Sequence, residues 1–189
     1  MGRDKAFLEL GGRTLLARAL SLAGMVAEPV RIVGASENFL AHGRVVEDVF
    51  PGRGPLGGIH AALRSSAAEL NLMLAVDLPS VDPRFLGYLV NAARQSGAVV
   101  TLPHAAGGWQ PLCAVYRREF TTTAEHSLRE GSNRIDTLLV RVAIRVIAEE
   151  ELEGEGFSGT MFRNLNTPED LERAELSLRS TAGTGVAGE

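Results

Sequence analysis

The chain has 189 residues, 45% of them hydrophobic and 5% aromatic, a length suited to one domain with a sizeable core. A formal net charge of −4 leaves no basic footprint for nucleic acid. No run reaches the roughly 18 apolar residues of a membrane helix, and Met1-Gly2-Arg3-Asp4-Lys5 opens neither a signal peptide nor a myristoylation site, so no membrane partner is expected and the expected location is cytoplasmic.

Thr14 is placed to cap a helix over residues 14–25, with Leu15, Leu16, Ala19, Leu20 and Ala23 on one stripe. Residues 30–33 predict a short strand ending at Gly34, Ser36 opens a brief helix, and residues 44–48 predict a second strand. A glycine-rich turn leads to a helix over residues 56–66. Residues 71–76 are apolar at every position after Asn71, the pattern of a strand buried on both faces. Asp82-Pro83 starts the next helix. Strands are expected over 98–102 and 111–116, around the turn at 104–108.

Helices over 117–130 and 132–140, a strand over 142–147, an acidic loop over 149–159 and a last short strand over 162–165 complete the pattern. Thr167-Pro168-Glu169-Asp170 then opens a final helix, with cap, first-turn proline and acids facing the helix dipole. Residues 181–189 are small and polar and are expected to be a disordered tail. Strands alternating with helices predict a three-layer α/β domain over residues 1–180, its sheet mainly parallel and partly mixed.

In open α/β sheets ligands lie outside the carboxyl ends of the strands. Asp77 ends the most apolar strand, where its carboxylate can hold Mg²⁺ or merely cap the turn Leu78-Pro79-Ser80. Asp48 ends another strand and poses the same choice. Lys5 is a flexible point charge able to reach a phosphate, or a solvated lysine. Residues 52–57 match G-x-G-x-x-G, with Asp77 at the spacing of a ribose-binding acid. Against a dinucleotide site, Pro55 removes an N–H from the turn and Glu47 and Asp48 bring negative charge to it.

Asn164 and Asn166 would share one side of an extended strand, as a ligand-binding amide pair or as turn chemistry before a helix. Gln110 and His104 flank a glycine turn, and Arg134 follows Gly131-Ser132-Asn133, where it could meet an anion or only water. His60 and His126 fall on predicted helices and are expected at the surface. Cys113 is the single cysteine, which excludes an intrachain disulfide and a multi-cysteine metal site. Its apolar strand makes it a buried, inert thiol.

Taken in order, these pieces resemble the molybdenum cofactor guanylyltransferase family and its cytidylyltransferase relatives. The resemblance runs through Met1-Gly2-Arg3-Asp4-Lys5, Leu8-Glu9-Leu10-Gly11-Gly12, Glu47-Asp48, Gly54-Pro55-Leu56-Gly57-Gly58-Ile59, Val76-Asp77-Leu78-Pro79, Gln110-Pro111-Leu112 and Asn164-Leu165-Asn166-Thr167-Pro168-Glu169-Asp170-Leu171. Each is weak alone; their order and spacing are specific.

The resemblance implies a Rossmann-like nucleotidyltransferase fold and transfer of GMP from GTP to molybdopterin, with release of pyrophosphate. Asp77 would hold Mg²⁺, Lys5 the triphosphate, and Asp48 with Gly54, Pro55, Leu56 and Gly57 the nucleoside. Gln110, Arg134, Asn164 and Asn166 would lie on the molybdopterin side, so Asn166→Ala should weaken transfer yet spare most GTP binding. Gly34 stands where some relatives carry a nucleoside-contacting asparagine. Molybdoenzymes or their chaperones would be downstream partners. The alternatives are a cytidylyltransferase or other nucleotidyltransferase, or a relative that acts only in binding.

Family members carry a strand and a Leu-Ala-Gly-Gly-x-Ser-x-Arg loop ahead of Met-Gly-x-Asp-Lys, and Met1 stands at that methionine. The resemblance therefore predicts an in-frame upstream segment encoding both, because backbone N–H groups of such a loop are strong phosphate ligands. Adding it should raise both the melting temperature and GTP affinity. An upstream stop codon, or equal stability and activity of the two forms, would remove this expectation.

Overall fold

Gly11 and Gly12, at φ 58° and 74°, turn β1 (Glu9–Leu10) back onto β2 (Arg13–Thr14) in the computed structural model, which describes residues 4–183. Only glycine takes such values freely in succession. A 3₁₀ turn over Lys5–Phe7 precedes this hairpin, its Ala6 N–H held by the Asp4 carboxylate at 3.1 Å. The Thr14 hydroxyl accepts from Ala17 N–H at 3.2 Å and caps α1 (Leu15–Gly24), as the sequence predicts.

Two short strands, β3 (Ile32–Val33) and β4 (Val45–Val46), pair in parallel around α2 (Ser36–Phe39). Next come α3 (Gly54–Ser65), β5 (Leu70–Leu74), α4 (Pro83–Gln95), β6 (Val100–Ala105), β7 (Gly108–Trp109) and β8 (Cys113–Arg117). The chain continues through α5 (Phe120–Arg129), α6 (Asp136–Leu139), β9 (Ile144–Ile147), α7 (Glu149–Gly154) and α8 (Pro168–Gly183).

The central sheet runs β5-β8-β6, with β9 on the far side of β6 and β7 folded back as a hairpin. β8 is antiparallel to both β5 and β6, and β9 is parallel to β6. Hence β5, β6 and β9 point one way and β8 alone is reversed among these long strands: the sheet is mixed. Alternation along β8 builds the layers. Ala114 and Tyr116 face the cluster of Leu56, Ile59, Phe120 and Leu128 from α3 and α5. Cys113 and Val115 face the cluster of Phe85, Leu86, Leu89 and Leu152 from α4 and α7.

Five expectations are corrected. β5 is half-buried at every position rather than buried on both faces. Its one ladder among the described residues is to β8, and a strand with one paired edge is shielded less than an interior one. Part of the segment expected as a loop is α7, because Glu149, Glu150 and Glu151 occupy a first turn that favours negative charge and Leu152 is fully buried. Residues 162–165 form no strand: a 3₁₀ turn over Gly159–Phe162 lets Met161 and Phe162 enter the core instead. α8 runs through Gly183, three residues into the tail expected to be disordered; no proline interrupts it before that glycine. The rest of that tail, residues 184–189, lies outside the described residues.

His60 is the fifth. It is 0% exposed rather than at the surface. Its helix position falls on the stripe of Leu56, Ile59 and Leu63, so the fold buries it with them. Neither ring nitrogen has a hydrogen-bond partner. The ring meets Phe50 edge-on at 5.1 Å, and Glu125 lies 3.8 Å from Nε2. Burial holds the imidazole below its ordinary range, opposed by the Glu125 carboxylate and, more weakly, by Asp48, with Arg64 adding to the depression.

His60 is thus neutral when folded and takes a proton more readily when unfolded. Its stabilising share is present above about pH 6.5 and is lost as pH falls below that value. Scanning calorimetry at pH 7 and pH 5 is expected to show a smaller drop in melting temperature for His60→Leu than for the native chain. Equal drops would mean that His60 does not titrate with unfolding.

Candidate active site

At the carboxyl end of β5, Ala75 N–H still donates to Leu112 O at 2.8 Å before the chain leaves the sheet. Asp77 follows, half-buried, and its carboxylate takes no hydrogen bond or ion pair from another described residue. It is not a cap. Asp82 performs that role for α4, accepting from Arg84 N–H at 2.8 Å, while Val81 N–H closes the intervening turn on Leu78 O. The Asp77 backbone carbonyl is used: it accepts from Leu165 N–H at 3.0 Å.

That bond brings in the C-terminal stretch. Leu165 is buried with Leu10 and Leu15, while Asn164 and Asn166 on either side of it are exposed. The two amides therefore face away from the core together, although no strand aligns them. Asn166 Oδ1 accepts from Lys5 Nζ at 2.7 Å. Lys5, Asp77 and the asparagine pair, far apart in sequence, are one neighbourhood. Lys5 is also the only lysine of the chain; all the other Lys and Arg side chains of the 19 are arginine. Summing the two residue types conceals this signal.

A second group forms where β4 meets α3. Asp48 accepts from Phe50 N–H at 2.9 Å. Its carboxylate also lies against Gly57, where a Cβ would stand 2.7 and 3.0 Å from the two oxygens and 3.1 Å from Phe50 O. Gly52 and Gly54, at φ 75° and 62°, turn the backbone into α3, and Pro55 occupies its first turn. No side chain caps that helix, so first-turn N–H groups are left for an acceptor. Leu56 contributes backbone only, because its side chain is fully buried in the core. Gly34 is likewise limited, since a Cβ there would meet the Phe39 ring at 2.7 Å.

The remaining candidates stand apart. Gln110 Nε2 donates to Ala105 O at 2.9 Å, which closes the turn between β6 and β7. His104 is exposed and packs edge-on against Trp109 at 4.7 Å. Arg134 is exposed on a loop that Arg53 ties to the start of α3 by a bond from its Nη1 to Gly131 O at 3.2 Å. No hydrogen bond or ion pair among the described residues joins the side chains of Gln110 or Arg134 to either group. Cys113 is fully buried and burial pushes its thiol up to about 12, so it is no nucleophile. Among the described residues no three His, Cys, Asp or Glu side chains are gathered to hold a metal.

A model of the MobA-like NTP transferase domain matches residues 1–143. A probable molybdenum cofactor guanylyltransferase of Opitutus terrae is 41% identical over 187 residues, covering 92% of this chain and 87% of its own. A molybdenum cofactor guanylyltransferase of Desulfosudis oleivorans is 32% identical over 181 residues, covering 95% and 89%. The crystal structure of molybdopterin-guanine dinucleotide biosynthesis protein A from Archaeoglobus fulgidus superposes with a TM-score of 0.80 at 26% identity, over 95% of this chain and 92% of that one. The 2-C-methyl-D-erythritol 4-phosphate cytidylyltransferase of Thermus thermophilus, at 18% identity and TM-score 0.68 over 93% and 94%, shares the fold.

The packing of Asp48 on α3 has a measurable consequence. Gly57→Ala is expected to cost about 1–3 kcal/mol, the usual range for an added methyl with no room. Part of that cost should vanish in an Asp48→Ala background, read by denaturant unfolding, the rest being kept by the Phe50 carbonyl 3.1 Å from the same Cβ. An equal penalty in both backgrounds would mean that Asp48 is not what excludes the methyl.

Proposed function

The chain belongs to the MobA-like NTP transferase family, and from that premise we propose that it transfers GMP from GTP to the terminal phosphate of molybdopterin, releasing pyrophosphate. The observation that carries this reading is the gathering of Lys5, Asp77 and the Asn164–Asn166 stretch at the carboxyl end of β5. Relatives named guanylyltransferases over nearly their whole length supply the choice of GMP rather than CMP.

An oxygen of the acceptor phosphate attacks the α-phosphorus of GTP; one P–O bond forms, the bond to the β-phosphate breaks, and pyrophosphate carries away the electron pair. Both reactants are anions, so alignment and charge neutralisation dominate and no activated side-chain nucleophile is required. Lys5 places its ammonium on the triphosphate. Asp48 and the Gly54–Gly57 turn line the nucleoside pocket, the turn by its backbone N–H groups. Asn164, Gln110 and Arg134 are assigned to the molybdopterin side. The proposal treats residues 1–180 as one catalytic domain and places it in the cytoplasm; no helix among the described residues is long and apolar enough to cross a membrane.

Asp77 fits a divalent cation of the Mg²⁺ type. Its half-buried carboxylate has no described protein partner, and with no three-residue cluster nearby such an ion would complete its shell with phosphate oxygens and water. The chemistry it would supply is neutralisation of phosphate charge. The experiment is pyrophosphate release with GTP and with CTP, each with and without molybdopterin. Release is expected only with GTP plus molybdopterin, and Asp77→Ala should abolish it while circular dichroism stays native. Release with CTP alone of the two nucleotides, or normal turnover by a folded Asp77→Ala protein, would overturn the assignment.

A further inference from the structure

Asn166 is held from both sides before its side chain reaches Lys5. On one side Leu165 is anchored in the core and bonded to the Asp77 carbonyl. On the other, the Asp170 carboxylate accepts from Asn166 N–H at 3.1 Å and from Thr167 N–H at 3.0 Å, while the Thr167 hydroxyl accepts from Asp170 N–H at 3.2 Å. This reciprocal cap at the start of α8 pins the Asn166 backbone. Lys5 is fixed in turn by the 3₁₀ turn that Asp4 caps.

The 2.7 Å contact has a definite polarity. An ammonium only donates, so Asn166 must present its carbonyl oxygen to Lys5 and turn its NH₂ outward. That NH₂ has no partner among the described residues. The outcome is a joined set of donors, the remaining ammonium N–H bonds beside an amide NH₂, of one sign and fixed in position. Such a set fits a phosphate, and since both reactants carry one, the direct bond to Lys5 is what places it with the triphosphate.

We infer that Asn166 is a positioning residue for Lys5 and a member of the triphosphate cradle, instead of a contact on the molybdopterin side as the resemblance alone implies. The amide orients the only lysine of the chain and leaves its charge undiminished, which a carboxylate at 166 would not do. The bond also runs from the stretch at 164–166 to the turn at 5–7, so the same stretch that is bonded to the Asp77 carbonyl holds Lys5. The ligand is named on the reading that Lys5 binds a nucleoside triphosphate; the Lys5–Asn166 coupling itself does not depend on it.

Two measurements on the full chain test this. The first is ligand-free: trace acylation followed by peptide mass spectrometry reads the reactivity of one lysine without interference from others. Loss of the amide acceptor in Asn166→Ala should raise Lys5 acylation by roughly two- to threefold, since Nζ is then no longer held against the Asn166 amide and is freer to meet the reagent. Unchanged reactivity overturns the coupling whatever the ligand is. The second is calorimetric GTP binding across native, Asn166→Ala, Lys5→Ala and the double variant. Asn166→Ala is expected to weaken GTP binding about five- to tenfold in the native background and by little in Lys5→Ala, the signature of coupled neighbours.

The same loss in both backgrounds, or none in the native one, overturns the triphosphate role. Failure of the native chain to bind GTP at all would instead refute the proposed function, and the acylation result would still decide the coupling.

Discussion

One backbone hydrogen bond, from Leu165 N–H to the Asp77 carbonyl, organises the candidate site. It joins the end of the first central strand to the stretch before the last helix, and it forms because Leu165 is buried against Leu10 and Leu15. A buried backbone carbonyl left without a donor would cost roughly 1–3 kcal/mol. The bond therefore satisfies the strand end and places two asparagines beside the aspartate at once. The hairpin of β1 and β2 is the third party, for Leu10 supplies the apolar wall and the turn before it carries Lys5. Chemistry from three distant parts of the chain is assembled by a small apolar cluster.

The second group obeys a steric rule. Asp48 can lie flat on the first turn of α3 only because Gly57 has no side chain, and the helix start stays open only because neither Arg53 nor a neighbour caps it. A carboxylate and a row of free N–H groups at the same corner offer acceptor and donor functions to one ligand, the mixture a nucleobase or ribose requires. The first group, with one lysine and an amide NH₂, is biased toward donors, and only Asp77 opposes it. The division between a polar, mixed pocket and a phosphate-binding one follows from these side chains without appeal to the net charge of −4.

Burial in this protein follows the helix stripe even where the residue is polar. His60 enters the core with both nitrogens unpartnered because Leu56, Ile59 and Leu63 define the buried face of α3. Asp82 and Thr14, by contrast, sit at helix starts where an oxygen is needed and find their N–H donors. Local rules of capping were reliable here; rules of exposure by residue type were not.

What the sequence determined by itself was local or repetitive. The caps at Thr14 and Asp82, the alternation of strands and helices, the buried cysteine and the motifs ending in Asp77 and Asp48 were all legible, because each depends on neighbours within a few residues. Tertiary structure decided the rest. Whether β5 was shielded on both sides depended on which strands paired with it, and its single ladder is to β8, far along the chain. Residues 162–165 carried strand-like side chains, yet Phe162 found a place in the core and Leu165 a partner in Asp77, so no ladder formed. The contact of Lys5 with Asn166 had no local signal at all. It exists because burial of Leu165 brings the stretch at 164–166 beside the turn at 5–7, and burial is a property of the whole packed molecule.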